Sequence, residues 1–207
     1  LDNNANTFAY QLIQYGSLGY IFLILLGTST INFVNFMDGI DGLVCGSMIV
    51  ILFTLNGEVH YLLPLIGTLS GFLYFNWYPS KIFMGDIGSL FLGTFLVSLI
   101  YSSTSGFEGI IKILLLCSPL FLDAFFCILR RLINKKNIFN SHKSHLYQRL
   151  VSNGMKHSTV SIIYISSIAL LSIFYTYSSL KFLLFISCII FLLGVFLDKK
   201  YAISFHK

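Results

Sequence analysis

The chain has 207 residues, of which 56% are hydrophobic and only 10% charged, and its mean hydropathy is +0.83. A soluble domain carries roughly 25% charged residues, so this composition excludes a water-soluble globular protein and predicts an integral membrane protein. The net charge of +5 does not point to nucleic acid, because the basic residues stand in connections between apolar runs, where they set topology.

Apolar runs fall near residues 15–35, 43–56, 60–76, 87–102, 109–130, 158–176 and 180–197. A crossing needs ~20 apolar residues, fewer where a helix is broken or buried in protein, so the fold class is all-α, a polytopic bundle of about seven transmembrane helices. The connections "NGEVH", "NWYPSK", "SSTSGFEG" and the long polar stretch 131–157 separate the runs. Gly39, Gly42, Pro79, Gly85 and Gly88 break helices at the polar clusters, which membrane depth tolerates only where backbone lines a cavity. Cys45, Cys117, Cys127 and Cys188 all lie in apolar runs without CxxC spacing, so they read as buried or lipid-facing side chains and not as a disulfide or metal framework.

Lys81, Arg130, Arg131, Lys135, Lys136, Lys143, Arg149, Lys156, Lys199, Lys200 and Lys207 gather at alternate connections and the C-terminal tail. The opposite connections hold Glu58 and Glu108, with little that is basic beyond Lys112 and Lys181. By the positive-inside rule the basic set is cytoplasmic, with the N-terminal end outside and the C-terminus inside. Loops near 36–43, 76–89 and 131–157 then share the cytoplasmic face, and the whole of 1–207 reads as a single membrane domain.

Each of these loops carries polar residues that a helix end does not require. In "INFVNFMDGIDGL", Asn32, Asn35, Asp38 and Asp41 recur every third residue. The first three can share a helix face, and Gly39 and Gly42 let the chain bend to bring Asp41 round. Carboxylates this close to lipid need partners, which a ligand or metal ion can supply. The bland alternative is a polar helix end with DG turns. In "FNWYPSKIFMGDIGSLFLG", Asp86 stands between glycines with Ser89 opening the next apolar helix. Such a turn offers free N–H groups to phosphate and a carboxylate to Mg²⁺, with a plain N-cap as the alternative. Asn76 either meets a base or sugar or simply ends its helix. In "NSHKSHLYQRL", His142 and His145 stand one turn apart with Arg149 four residues on. Phosphate binding suits them better than zinc, for which the sequence offers too few further ligands; a solvated basic loop is the third possibility. Asp123 lies two turns before Arg130 on the same helix face and reads as its structural partner.

At these residues the sequence resembles the polyprenyl-phosphate N-acetylhexosamine-1-phosphate transferases, the family of phospho-MurNAc-pentapeptide translocase and of the enzymes that start O-antigen chains. "NFVNFMDGIDGL", "FNWYPSKIFMGDIGS" and the histidine loop occur in the family's order, and "PLFLDAFFCILRR" lies between the last two. The resemblance implies transfer of a sugar-1-phosphate from a UDP-N-acetylhexosamine to undecaprenyl phosphate, with release of UMP, at the cytoplasmic face of a bacterial inner membrane. It implies Mg²⁺, with Mn²⁺ as a substitute, no nucleic-acid partner, and a homodimer as one possible assembly. Residue by residue, it makes Asp86 the metal ligand and sets Asn32, Asn35, Asp38 and Asp41 along the nucleotide–phosphate site. Asn76 falls near the uridine, and His142, His145 and Arg149 fall on phosphate oxygens. Attack by the prenyl phosphate is either direct, the simpler route, or through a covalent aspartyl intermediate.

The resemblance has two departures. "HKSH" stands where the family has three histidines in four residues, a variant nearer the O-antigen-initiating branch. The family also carries an upstream Asp-Asp pair, whereas residues 1–31 contain only Asp2. Together with the opening Leu1, this leads us to expect either the C-terminal portion of a longer enzyme or the product of a truncated gene, with weak or absent activity by itself. A non-catalytic assembly subunit is the first rival reading. A secondary transporter is the second, disfavoured because the acidic clusters sit at helix ends and no internal repeat is evident.

Overall fold

Inside a bilayer every backbone N–H and C=O needs an internal partner, and consecutive apolar residues satisfy that only as helix. The computed structural model describes residues 7–56, 60–103, 106–137 and 142–205, together with the backbone but not the side chain of His60. These form ten α-helices and a short 3₁₀ turn, with no strand among the described residues: α1 (Phe8–Ile13), α2 (Ser17–Met37), α3 (Leu43–Leu55), α4 (Leu63–Asn76), α5 (Gly85–Ser102), α6 (Gly106–Leu116), α7 (Ser118–Ile133), α8 (Leu146–Ser152), α9 (His157–Tyr177) and α10 (Leu180–Tyr201).

The expected all-α membrane bundle is present, and the protein is multi-pass. Among the described residues four helices are long and apolar enough to cross: α2, α5, α9 and α10; a fifth span results if α6 and α7 count as one broken crossing. The count of about seven is not reached on that measure. With 13 residues α3 rises ~20 Å, short of the ~30 Å hydrocarbon core, and α4 has only 14. The single helix expected over 109–130 is two helices bent by 77°. Pro119 explains the break: it lacks an N–H and its ring crowds the preceding turn, so it opens a new helix at Cys117–Ser118.

The bundle is knit pairwise. α2 lies along α5, α3 packs on α9 and α4, α7 crosses α2, and α10 covers α9 and α6. The α2–α5 crossing is tight because Gly93 faces the Ile31 backbone; a Cβ there would stand 2.9 Å from Ile31 Cα and 3.1 Å from its carbonyl oxygen. Val34 and Met37, in the last turn of α2, join Leu43, Met48, Leu92, Leu96 and Tyr147 in the core. Outside it, Leu18, Ile21, Phe22 and Leu25 on α2 and Phe185, Leu192 and Leu193 on α10 are exposed. Only 11% of the α10 span is buried against protein, so most of its apolar surface is left for lipid.

Candidate active site

One end of the bundle collects the C-terminal ends of α2, α4, α7 and α10 and the N-terminal ends of α3, α5, α8 and α9, as the bonds between them show. The α2–α3 turn, residues 38–42, is its centre. Gly42 takes φ +73° there, with Trp77 Cε3 only 2.6 Å from where a Cβ would stand. Both the left-handed backbone and the indole's approach require glycine. Asn76, buried at the end of α4, clamps this turn to the next: its Oδ1 accepts from Gly42 N at 3.1 Å and its Nδ2 donates to Ile82 O at 2.9 Å. Asp41 does the same work from the other side. Its carboxylate, on a residue only 9% exposed, accepts from Ser80 Oγ at 2.9 Å and Ser80 N at 3.2 Å. His157 Nδ1 lies 3.5 Å from the same carboxylate, and Ser161 Oγ donates to the Asp41 carbonyl at 2.8 Å.

The two sequence motifs meet through Asn35. Its Nδ2 faces Ser89 Oγ at 2.9 Å and Asp86 Oδ1 at 3.2 Å, which fastens the last turn of α2 to the first turn of α5. That helix begins at Gly85 rather than Ser89, so Asp86 sits inside its first turn, exposed, and is not the N-cap; the cap position is Met84, with no side-chain cap bond. The first N–H groups of α5 are thus left beside a carboxylate that remains accessible. Asp38, which ends α2, is half-buried. Burial first, and the Asp86 charge second, push its carboxyl up to about 7. Two neighbouring carboxylates, the charge of one felt by the other, with oxygen ligands around them, are the surroundings a hard divalent cation fits. Asn32 is not drawn in: its amide donates to Thr28 O on its own helix at 2.7 Å.

The histidine loop packs against the same end of α2. Asp123, expected to pair with Arg130, does not. Its side chain is buried, and its carboxylate accepts from Leu146 N at 2.7 Å, Tyr147 N at 3.2 Å and Tyr164 OH at 2.6 Å. It therefore caps α8, while Arg130 pairs with Asp198 on α10. Tyr147 OH in turn donates to Phe36 O at 2.9 Å. His145, 2% exposed, stacks between His142 and Tyr147, with centroids at 5.2 and 5.7 Å. Burial, helped by Arg131, lowers the His142 ring to about 4 and lowers His145 as well, the latter opposed by Asp123. Both rings are neutral near pH 7. Arg149 turns away from them. It is buried, pairs with Asp198 and donates to Ile203 O at 2.9 Å, so α10 and the C-terminal segment hold it. A cavity of about 440 Å³ between α7, α9 and α10 has Arg149, Arg130 and Asp123 in its wall, but not Asn35, Asp38 or Asp86.

Sequence reasoning missed His157, Ser80 and Ser161, whose contacts with Asp41 span 39 to 120 residues. The only signal for His157 was a polar residue opening an apolar run. It also missed Cys127, whose ligand atom lies within 4.8 Å of those of His142 and His145.

Residues 1–104 match the profile described as glycosyl transferase family 4. A probable undecaprenyl-phosphate N-acetylglucosaminyl 1-phosphate transferase of Bacillus subtilis (strain 168) is 37% identical over 76% of this chain and 48% of its own length. A decaprenyl-phosphate N-acetylglucosaminephosphotransferase of Mycobacterium leprae (strain TN) is 30% identical over 68% and 43%. A phospho-N-acetylmuramoyl-pentapeptide-transferase of Streptococcus pyogenes serotype M6 (strain ATCC BAA-946 / MGAS10394) is 42% identical over 47% and 31%. The chain thus spans about half the length of these relatives, or less. The matched segment contains both motifs that Asn35 joins at one end of a membrane bundle, and by that match the chain belongs to glycosyl transferase family 4.

Proposed function

We propose that this chain forms the donor-phosphate side of a transferase that moves an N-acetylhexosamine-1-phosphate from a UDP-sugar to undecaprenyl phosphate. The observation that carries the reading is the Asn35 bridge. It sets Asp86, the first turn of α5 and the half-buried Asp38 side by side where a water-soluble nucleotide can meet a lipid phosphate. An oxygen of the prenyl phosphate attacks the β-phosphorus directly. The new P–O bond forms as the bond to the UMP oxygen breaks, and UMP leaves with the electron pair. Such chemistry needs positioning and charge neutralisation more than covalent help. Asp86 and Asp38 would hold Mg²⁺, which supplies neutralisation of phosphate charge when bound. The first-turn N–H groups of α5 add a dipole of the right sign for phosphate. Asp41 and Asn76 act as positioning residues: they fix the 38–42 and 77–82 segments on which the site stands. His142 and His145 border it on the α2 side and receive phosphate oxygens.

The site lies on the cytoplasmic face of the inner membrane in this reading, supported by the basic residues at the same end of the bundle, Arg130, Arg131, Lys135 and Lys156 among them. The test is UMP release in detergent from the complete gene product, with undecaprenyl phosphate, Mg²⁺ and a panel of UDP-N-acetylhexosamines. Asp86→Asn should lower the rate roughly 10²–10³-fold. UMP release that survives Asp86→Asn, or its absence with every sugar from folded protein, overturns the proposal.

A further inference from the structure

We propose that Cys127, His142 and His145 form a second, softer metal site, a three-ligand centre of the zinc class with an open fourth position. Three groups from two parts of the chain converge: the Cys127 thiol from α7 and one ring nitrogen from each histidine, all within 4.8 Å of one another. A tetrahedral ion with Zn–S near 2.3 Å and Zn–N near 2.1 Å sets its ligands about 3.6 Å apart, so closure needs ~1 Å of side-chain adjustment. His142 stands at the edge of a loop and can supply it.

A second observation points the same way. His142 Nδ1 and His145 Nδ1 are both buried, yet neither has a hydrogen-bond partner. Buried polar atoms are ordinarily satisfied, and a bound cation changes what each ring must satisfy. Asp123 Oδ1 stands 3.8 Å from His145 Nδ1, where a carboxylate orients a metal-bound imidazole. Two charges are opposed. Arg131, donating to Ser144 Oγ at 3.4 Å, disfavours a cation, while Asp123 and a Cys127 thiolate favour it. The thiol proton goes to solvent as the metal binds. Cys127 and Ser144 also belong to the wall of the 440 Å³ cavity, which gives an entry path. N/S ligation distinguishes this centre from the all-oxygen surroundings of Asp38 and Asp86, and a hard cation such as Mg²⁺ is a poor fit to it. The site rests on ligand geometry alone. Only the occupant of its open position, a phosphate oxygen, rests on the transferase reading.

The test uses Co²⁺ as probe, titrated into the reduced, detergent-solubilised full chain. Thiolate-to-Co²⁺ charge-transfer absorption should appear stoichiometrically, be displaced by Zn²⁺, persist in Cys188→Ser and vanish in Cys127→Ser. Should Cys127→Ser fail to fold, His142→Gln carries the same test, with Co²⁺ affinity falling at least about tenfold. A missing band, a band that survives Cys127→Ser, or an unchanged affinity in His142→Gln overturns the proposal. None of these readouts involves sugar transfer, so failure here and failure of the transferase reading register separately.

Discussion

Gly93→Ala should loosen the site from a distance. A Cβ at residue 93 would stand 2.9 Å from Ile31 Cα and 3.1 Å from Ile31 O, where backbone atoms cannot rotate aside. Ordinary contact begins near 3.4 Å, so α2 and α5 must part by roughly half an ångström or more, and overpacking of this kind costs about 1–3 kcal/mol. The strain reaches the polar end because the geometry repeats one turn on. Asn35 lies four residues after Ile31 and Ser89 four before Gly93, and their 2.9 Å bond crosses the same two helices. Parting stretches it and the 3.2 Å bond to Asp86, each worth about 0.5–1.5 kcal/mol. The expected result is ~2–4 kcal/mol lost in detergent unfolding. On the transferase reading, UMP release by the complete gene product should fall by up to about 10²-fold, the loss that a full ångström of misplacement can cause. Trimming Ile31 to Ala should not rescue either quantity, since the clash is with backbone. An unfolding temperature equal to wild type, or full rescue by Ile31→Ala, would refute the reasoning.

Asp123→Ala orphans three buried donors, Leu146 N, Tyr147 N and Tyr164 OH, at roughly 1–3 kcal/mol each; faster hydrogen exchange confined to α8 and its contacts is the readout, and unchanged exchange there refutes the cap. Ser80→Ala leaves Asp41 with the Ser80 N–H but without the hydroxyl and should cost about 1–2 kcal/mol, measured by thermal unfolding. In metal-free protein the His142 ring titrates at about 4 rather than 6.5, because burial first and Arg131 second disfavour its cation. The folded state therefore binds fewer protons than the unfolded one between pH 6.5 and 4. The contribution of this ring is full above the unfolded value of 6.5 and is lost as pH falls through that window. NMR titration of His142 checks this, and a midpoint at or above 6.5 contradicts it.

The motif-bearing loops were legible because their residues act locally first. Glycine in "MDGIDG" and "MGDIGS" marks the turn, the following apolar run marks the helix, and the asparagine one turn earlier reaches across. The break at Cys117 was less so, since the run 109–130 is apolar throughout and only Pro119 signals it. Pairings over distance were not legible. Arg130 ignores the carboxylate seven residues away on its own helix and finds Asp198, 68 residues on, because the buried Asp123 is already filled by α8 and Tyr164. The link from Cys127 to the histidine loop is a product of the α7–α8 packing, and no spacing rule in the chain announces it. Asn32 marks a limit of periodicity: it groups with Asn35 in the sequence, but a three-residue step drifts around the axis, and its amide is bonded to its own helix.

The bonds from Tyr147 to Phe36 and from Ser161 to Asp41 join residues 111 and 120 positions apart. During synthesis the 38–42 turn emerges long before either hydroxyl exists. At ~5–20 residues per second, it waits roughly 5–25 seconds for α8 and α9. Until then α2 to α5 can insert, but their polar turn lacks its final hydrogen bonds. Completion of the polar end that carries the proposed site is thereby tied to insertion of α9, and a nascent chain stalled before it should hold that turn unfinished.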